Sequence, residues 1–367
     1  MPDRCQPFYL LPGKHSEIII HEPPATLMPA RTPPATIEFH NCYPEPREGD
    51  LWQLSRYPAP VRHALNERGR MVSMDSCGVE LRFVTPAQNI RVTLTAEDAD
   101  TEVQVYCGPF LLATHRLAKG VPTALSLTPP ERFPEATDAA LASGGWSPDV
   151  WRIAPGRAAC LFHHLETFGH PVRPPTAAEK PAVTWLAYGS SITHSHHGGY
   201  PYHAARLLHW NVFGKGLSGA CHIEKEAADY LAATAAETKA AIITAELGVN
   251  MRGGYTVETF AGRAAYLLKA LRTKNPDTPL VLVTAFTNSA HHSRAPRDDF
   301  ERQHGFDAAL RDLVTRARAT GDARLHLIEG TDLLTDFTLL SADVLHPTPS
   351  GHALMGHNLA DRLRSII

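Results

Sequence analysis

A change of pattern near residue 170 constrains this chain more than any other feature. Residues 170–181 hold four prolines together with Arg173, Glu179 and Lys180, a composition that suits neither a helix nor a central strand and reads as a linker. Ahead of it, β-like runs at 79–85, 89–96, 101–106 and 110–115 are broken by Gly, Pro and Asp. Within 89–96, Ile90, Val92 and Leu94 alternate with polar residues, the period of a strand with one buried face. After it, apolar runs at 183–188, 240–247 and 280–286 alternate with helical stretches. The 202–209 stretch is one of these, and Phe260, Ala264, Leu267, Leu268 and Leu271 mark another at spacings of three and four. Residues 307–319 repeat that pattern before a strand-like run at 325–328. Alternating strands and helices predict a parallel sheet covered on both faces. The expected organisation is therefore a β-sandwich over 1–169, a linker over 170–181 and an α/β domain over 182–367.

A length of 367 residues with 43% hydrophobic content suits two domains. The formal net charge is −3, with Lys and Arg scattered, so there is no footprint for nucleic acid or an anionic membrane. A neutral or small substrate is expected. Residues 1–11 carry Arg4 and two prolines without an apolar core and do not read as a signal peptide, and no later run is long enough to span a bilayer. Cysteines at 5, 42, 77, 107, 160 and 221 lack CxxC spacing, which speaks for reduced thiols in a cytoplasmic protein and against a zinc site. Oligomeric state is not legible.

Chemistry concentrates in four places. The run Tyr188-Gly189-Ser190-Ser191-Ile192-Thr193 follows an apolar strand, so a hydroxyl-rich turn lies at the carboxyl end of a parallel sheet, where such sheets bind ligands. A serine nucleophile needs a base and oxyanion donors. Asp343-Val344-Leu345-His346-Pro347 offers the base, with a carboxylate three residues before an imidazole, and Thr348-Pro349 then opens a helix. Gly248-Val249-Asn250 and Leu217-Ser218-Gly219-Ala220 offer donors.

These blocks, in this order, resemble the SGNH hydrolase superfamily, also called GDSL esterases and lipases. The resemblance covers roughly residues 184–367 and implies a flavodoxin-like three-layer α/β/α fold. It makes Ser191 the nucleophile, Asp343 and His346 the rest of a triad, and the Ser191 N–H, Gly219 and Asn250 the oxyanion hole. The family's usual Gly-Asp-Ser is Gly189-Ser190-Ser191 here, and the family places the nucleophile third, directly before Ile192. The segments 188–193, 216–219 and 246–250, with Gly330-Thr331-Asp332-Leu333, look like a bacterial branch that carries an N-terminal β-sandwich, here expected to be jelly-roll-like.

Other residues are weighed against plainer roles. His194, His196 and His197 could suggest a metal site but suit a surface or pocket lining, and His291 and His292 suit a solvated loop. Tyr200 and Tyr202 are possible substrate contacts or core. Trp52, Trp146 and Trp151 could stack on sugars or fill the sandwich core. The resulting expectation is a serine esterase for short acyl esters, by resemblance acetylated carbohydrates or glycosides, needing no cofactor and no metal. An acyltransferase that delivers the acyl group to a sugar or secondary-metabolite hydroxyl is one alternative, and a carbohydrate-binding protein with an inactive α/β domain is another.

Overall fold

The computed structural model describes residues 32–367; the sequence readings on residues 1–11 and on Cys5 lie outside them. Residues 33–367 form one compact unit. Its first part runs β1 (Glu38–His40), β2 (Tyr43–Pro46), β3 (Trp52–Ser55), α1 (Ala59–Ala64), α2 (Glu67–Val72), β4 (Glu80–Val84), β5 (Ile90–Ala96), β6 (Thr101–Cys107), β7 (Phe110–Leu117), β8 (Thr123–Leu127), α3 (Asp138–Leu141), β9 (Val150–Pro155) and β10 (Cys160–Glu166). Two five-stranded sheets result, in the orders β1-β4-β9-β6-β7 and β2-β3-β10-β5-β8. With β1 and β2 set aside as edge additions, the orders 4-9-6-7 and 3-10-5-8 are those of a jelly roll. Its core holds Leu54, Leu81, Phe83, Val92, Leu94 and Val105. Trp52, Trp146 and Trp151 are 5%, 7% and 4% exposed, so none of the three presents an indole face to a sugar. Trp146 lies instead between Arg82 and Arg152, whose guanidinium carbons sit 4.7 and 4.1 Å from its ring centre.

The segment expected as a linker makes ordered contacts. Arg173 exchanges both backbone hydrogen bonds with Val84 at the end of β4, and Thr176 and Glu179 form a reciprocal cap on a short 3-10 turn.

The second part runs β11 (Val183–Gly189), α4 (Tyr200–Leu208), β12 (Trp210–Gly216), α5 (Lys225–Glu237), β13 (Ile242–Glu246), α6 (Val257–Lys274), β14 (Leu280–Val283), α7 (Asp298–Ala319), β15 (Leu325–Ile328), α8 (Gly330–Leu333) and α9 (Pro349–Arg364). All pairings are parallel, in the order β12-β11-β13-β14-β15. This is the 2-1-3-4-5 order of a flavodoxin-like sheet, whose switch point lies at the carboxyl end of its first strand. Separate apolar clusters cover the two faces, one with Leu186, Leu231, Leu267 and Phe306, the other with Trp185, Val281, Met355 and Leu359. Helix α7 begins nine residues before the 307–319 stretch, because Phe300 and Phe306 extend its buried face. The strand at 280–286 stops at Val283.

The two parts share their packing. Tyr57 and Leu65, from the insertion between β3 and β4, belong to the same apolar cluster as Leu186 and Leu217. Strand β12 is an edge, and an open edge exposes unpaired carbonyls. Here side chains of the first part cover alternate ones. His40 Nε2 donates to Val212 O at 2.9 Å, Asn41 Nδ2 to Gly214 O at 3.0 Å and Arg56 to Gly216 O at 2.7 Å. One step further on, Arg68 Nε donates to Ser218 O at 2.9 Å. Burial of Arg56 is complete, and Val72 O and Asp75 O accept its remaining donors. The ammonium of Lys215, also buried, donates to Arg56 O at 2.6 Å and is ringed by Tyr43, Tyr57 and Tyr230.

Candidate active site

Three sequence-distant loops meet at the carboxyl end of the parallel sheet. The turn after β11 carries Ser190 and Ser191, and it is Ser191 whose Oγ lies 2.7 Å from His346 Nε2. Ser190 is 1% exposed, and its hydroxyl accepts the Ile192 N–H at 3.3 Å. Asp343 Oδ2 lies 2.6 Å from His346 Nδ1, while Oδ1 accepts the backbone N–H of both Leu345 and His346 at 3.0 Å. Burial alone would raise the Asp343 carboxyl. The hydrogen bonds from the His346 backbone and ring and from Leu345 outweigh it and hold the carboxyl below its ordinary value. An ionised Asp343 fixes the proton on Nδ1 and leaves Nε2 as the free base facing Ser191.

The Asp–His loop closes on itself. Ser341 N–H bonds His346 O, Val344 N–H bonds Ser341 O, and Leu340 pairs with Pro347. Val344 sits at φ 51°, a left-handed conformation that costs a β-branched residue energy and marks a functional turn. Thr348 then caps α9, its hydroxyl accepting from Gly351, with Pro349 in the first turn as its sequence announced.

Two further turns carry the expected oxyanion donors, Gly219 and Asn250. Gly219 has φ 66°, where only glycine is relaxed. Asn250 Oδ1 accepts the Cys221 N–H at 3.2 Å, which orients the amide and leaves Nδ2 as its unused donor. The N–H groups of Ser191 and Gly219 meet no acceptor among the described residues. Free donors of this kind are what a tetrahedral oxyanion requires.

Sequence reasoning missed the residue beneath the nucleophile turn. Glu246, at the end of β13, is 1% exposed, and its Oε2 accepts the Ser190 N–H at 2.7 Å and the Thr193 hydroxyl at 3.1 Å. Burial pushes its carboxyl up, against the hydrogen bonds from Ser190 and Thr193. A carboxylate thus reaches this turn even though the position before the nucleophile is serine. The available signal was one acid in the otherwise apolar run 240–247. Gly216 is required here, because a Cβ on it would collide with the His194 backbone.

Other candidates fall as follows. Tyr200 is buried, and its hydroxyl lies 2.8 Å from Thr193 Oγ1. Tyr202 packs against His197 and lines a cavity of about 250 Å³ between the sandwich and α4, whose walls do not include Ser191, Gly219, Asn250 or His346. His197 Nε2 lies 2.8 Å from Glu80, which also pairs with Arg82 and Arg152. His291 contacts His304, and His292 packs on Phe337. His194 is buried, and its ring atoms gather with those of Asp75 and Cys77 within 4.8 Å. That trio has metal-ligand chemistry, but Arg56 bonds the Asp75 carbonyl and Arg157 touches the Cys77 thiol, so two fixed positive charges oppose a cation there.

With this geometry in place, comparison with known proteins is informative. The GDSL-like lipase/acylhydrolase family matches over residues 187–354. The α/β domain belongs to that family. Its chemistry is that of an SGNH-type ester hydrolase or acyltransferase. Among solved structures, the chain resembles a salicylyl-acyltransferase from a tetracycline biosynthetic pathway at 18% identity and TM-score 0.74, covering 90% of this chain and 94% of that one. A Bacteroides ovatus protein assigned to the GDSL-like lipases matches at 16% identity and TM-score 0.63, over 85% and 91% of the two chains. A family two carbohydrate esterase from Cellvibrio japonicus matches at 13% identity and TM-score 0.57, over 91% and 96%. At such identities the likeness concerns fold, here of sandwich and α/β domain together. No curated protein matches the sequence. No helix among the described residues is long and apolar enough to cross a membrane.

Proposed function

We propose that the protein is a serine esterase acting on short-chain acyl esters, with Ser191 as nucleophile, His346 as general base and acid, and Asp343 as its orienting carboxylate. The observation that carries this reading is the continuous chain from Ser191 Oγ through His346 to Asp343, at 2.7 and 2.6 Å.

Ser191 gives its proton to His346 Nε2 as Oγ bonds to the acyl carbon, and the carbonyl oxygen becomes an oxyanion facing the Ser191 and Gly219 N–H groups and Asn250 Nδ2. His346, charged and held by Asp343, then protonates the alcohol oxygen as the ester bond breaks, leaving an acyl-Ser191. A water deprotonated by His346 attacks the acyl carbon, and as the bond to Oγ breaks His346 returns the proton to Ser191 and the acid leaves. Each oxyanion donor is worth about 10²–10³ in turnover.

The carbohydrate esterase among the structural neighbours supports an acetylated sugar or glycoside as substrate. The acyltransferase, whose fold matches at TM-score 0.74, supports the second reading, in which an alcohol replaces water in the last step. The five cysteines among the described residues are all unpaired, which supports a reducing, cytoplasmic setting.

The test is hydrolysis of 4-nitrophenyl acetate, butyrate and octanoate by wild type and Ser191→Ala, with mass spectrometry for an acyl adduct. Wild-type turnover falling with chain length and absent from the variant is expected. Equal rates in both proteins would overturn the nucleophile assignment. Product analysis with added alcohols separates the readings, since an acyltransferase yields the new ester in preference to the free acid.

A further inference from the structure

Two arginines of the first part reach the turns that carry Ser191 and Gly219. Arg157, in the loop between β9 and β10, donates to the carbonyl of Ser191 itself at 2.7 Å and to that of His194. Arg68, on α2, donates through Nε to Ser218 O at 2.9 Å, and its guanidinium lies directly against Gly219. Both side chains are exposed. Arg157 is thus fixed through Nη2 by two carbonyls and Arg68 through Nε by one, which leaves other N–H groups of each guanidinium without a carbonyl partner among the described residues.

Neither has a carboxylate partner among the described residues, and three acids of this region are engaged elsewhere. Asp343 binds His346, Asp75 faces His194, and Glu224 accepts from Asn66. A chain of net charge −3 thus places two unneutralised guanidinium groups beside its candidate nucleophile and oxyanion hole. Guanidinium forks match carboxylate geometry, and anchoring removes part of the entropy that weakens exposed ion pairs. We propose that Arg68 and Arg157 form an anion-recognising rim, so that the preferred substrate is a short-acyl ester whose alcohol part carries a carboxylate. This rests on the esterase reading above and adds a charge to the neutral or small substrate expected from composition, because net charge averages over a surface whereas the site samples only its own rim.

The test compares kcat/KM for 4-acetoxybenzoate and its neutral counterpart 4-acetoxybenzamide, in wild type, Arg68→Met, Arg68→Lys and Arg157→Met. Wild type is expected to favour the acid by about tenfold, the worth of one charge-assisted hydrogen bond. That preference should shrink with added salt. Either methionine variant should bring the ratio towards one, while Arg68→Lys keeps part of it. A wild-type ratio at or below one overturns the rim, as does an equal loss on both esters in the arginine variants, which would mean that the arginines only brace the turns. Preference for 4-nitrophenyl hydrogen adipate over 4-nitrophenyl hexanoate, without preference in the acetoxy pair, overturns placement of the charge on the alcohol. If wild type hydrolyses none of these esters, the esterase reading fails separately. The rim is then judged by calorimetry with 4-hydroxybenzoate and 4-hydroxybenzamide: tighter binding of the acid, lost in Arg68→Met, supports it, and equal binding overturns it.

Discussion

His346 and Asp343 stand on a loop closed mainly by its own backbone hydrogen bonds, with one more from Ser289 N–H to Val344 O, and their side chains are 41% and 50% exposed. Ser191, by contrast, stands on a turn held by residues far away in sequence: Glu246 beneath it, Arg157 on its carbonyl, and the capped edge of β12 beside it. One half of the constellation is local and the other is an assembly. The contrast teaches that a mutation in the first half should cost chemistry alone, whereas one among the distant residues that hold the second should cost chemistry and stability together.

The largest effect comes from breaking the contact between the halves. Ser191→Ala should lower kcat by on the order of 10⁴ or more without changing the melting temperature, and adding His346→Ala should cost little further, because residues that act as a unit are not additive. Asp343→Asn tests the local half alone. Turnover on 4-nitrophenyl acetate should fall about 10²–10⁴-fold, since the amide can favour the wrong imidazole tautomer, again with the melting curve unmoved. A lowered melting temperature would mean that the loop is not self-contained.

Arg56→Met tests the assembled half. It removes the donors of three carbonyls, Val72, Asp75 and Gly216, and should destabilise the protein by about 3–5 kcal/mol, read by denaturant titration. Activity should fall as well, because Gly216 O belongs to the strand that leads into Gly219. Glu246→Gln keeps the shape beneath the nucleophile turn and removes its charge, so kcat should drop by roughly ten- to a hundredfold with KM unchanged. Rescue by Glu246→Asp, or by Ser190→Asp in the Glu246→Gln background, would identify the carboxylate itself as what positions the turn.

The same division explains what could be read from the sequence. The local half was legible almost entirely: Asp343, His346, the Thr348 cap and Pro349 lie within one short segment and obey local rules. The parallel strands were legible from their apolar runs, although β12 escaped because the polar Asn211 and Lys215 and the glycines at 214 and 216 interrupt its pattern. Those glycines are there because Tyr202 of α4 and the nucleophile turn crowd the strand. Arg56, Arg68 and Arg157 were invisible for the same reason. Their partners are backbone carbonyls 160, 150 and 34 residues away, and a carbonyl has no residue type to recognise. The insertion carrying Tyr57 and Leu65 reads as sandwich by position, yet packs into the α/β core.

The smallest effect separates the halves by acid. Burial, aided by Arg56 and opposed by Asp75, lowers His194 to about 4, and burial with His203 and Arg157 lowers His352 to about 4. His352 accepts the Tyr200 N–H through Nδ1, a bond that only the neutral ring can make. A histidine whose folded value is depressed contributes stability that is complete above the unfolded value of roughly 6.5 and is lost as pH falls from there towards about 4. In that window each such ring costs about 1 kcal/mol per pH unit, because the unfolded chain takes up a proton that the fold refuses. Asp343, held below its ordinary value, remains ionised in the fold across the window and adds to the slope only at its lower end, where the unfolded carboxyl begins to protonate near about 4. Acid should therefore loosen the nucleophile half first. Hydrogen exchange between pH 6.5 and 4 should show residues 190–200 losing protection before 341–347, and His194→Gln should flatten the dependence of melting temperature on pH. Simultaneous loss in both segments would mean that the two halves unfold as one and that their different construction has no energetic consequence.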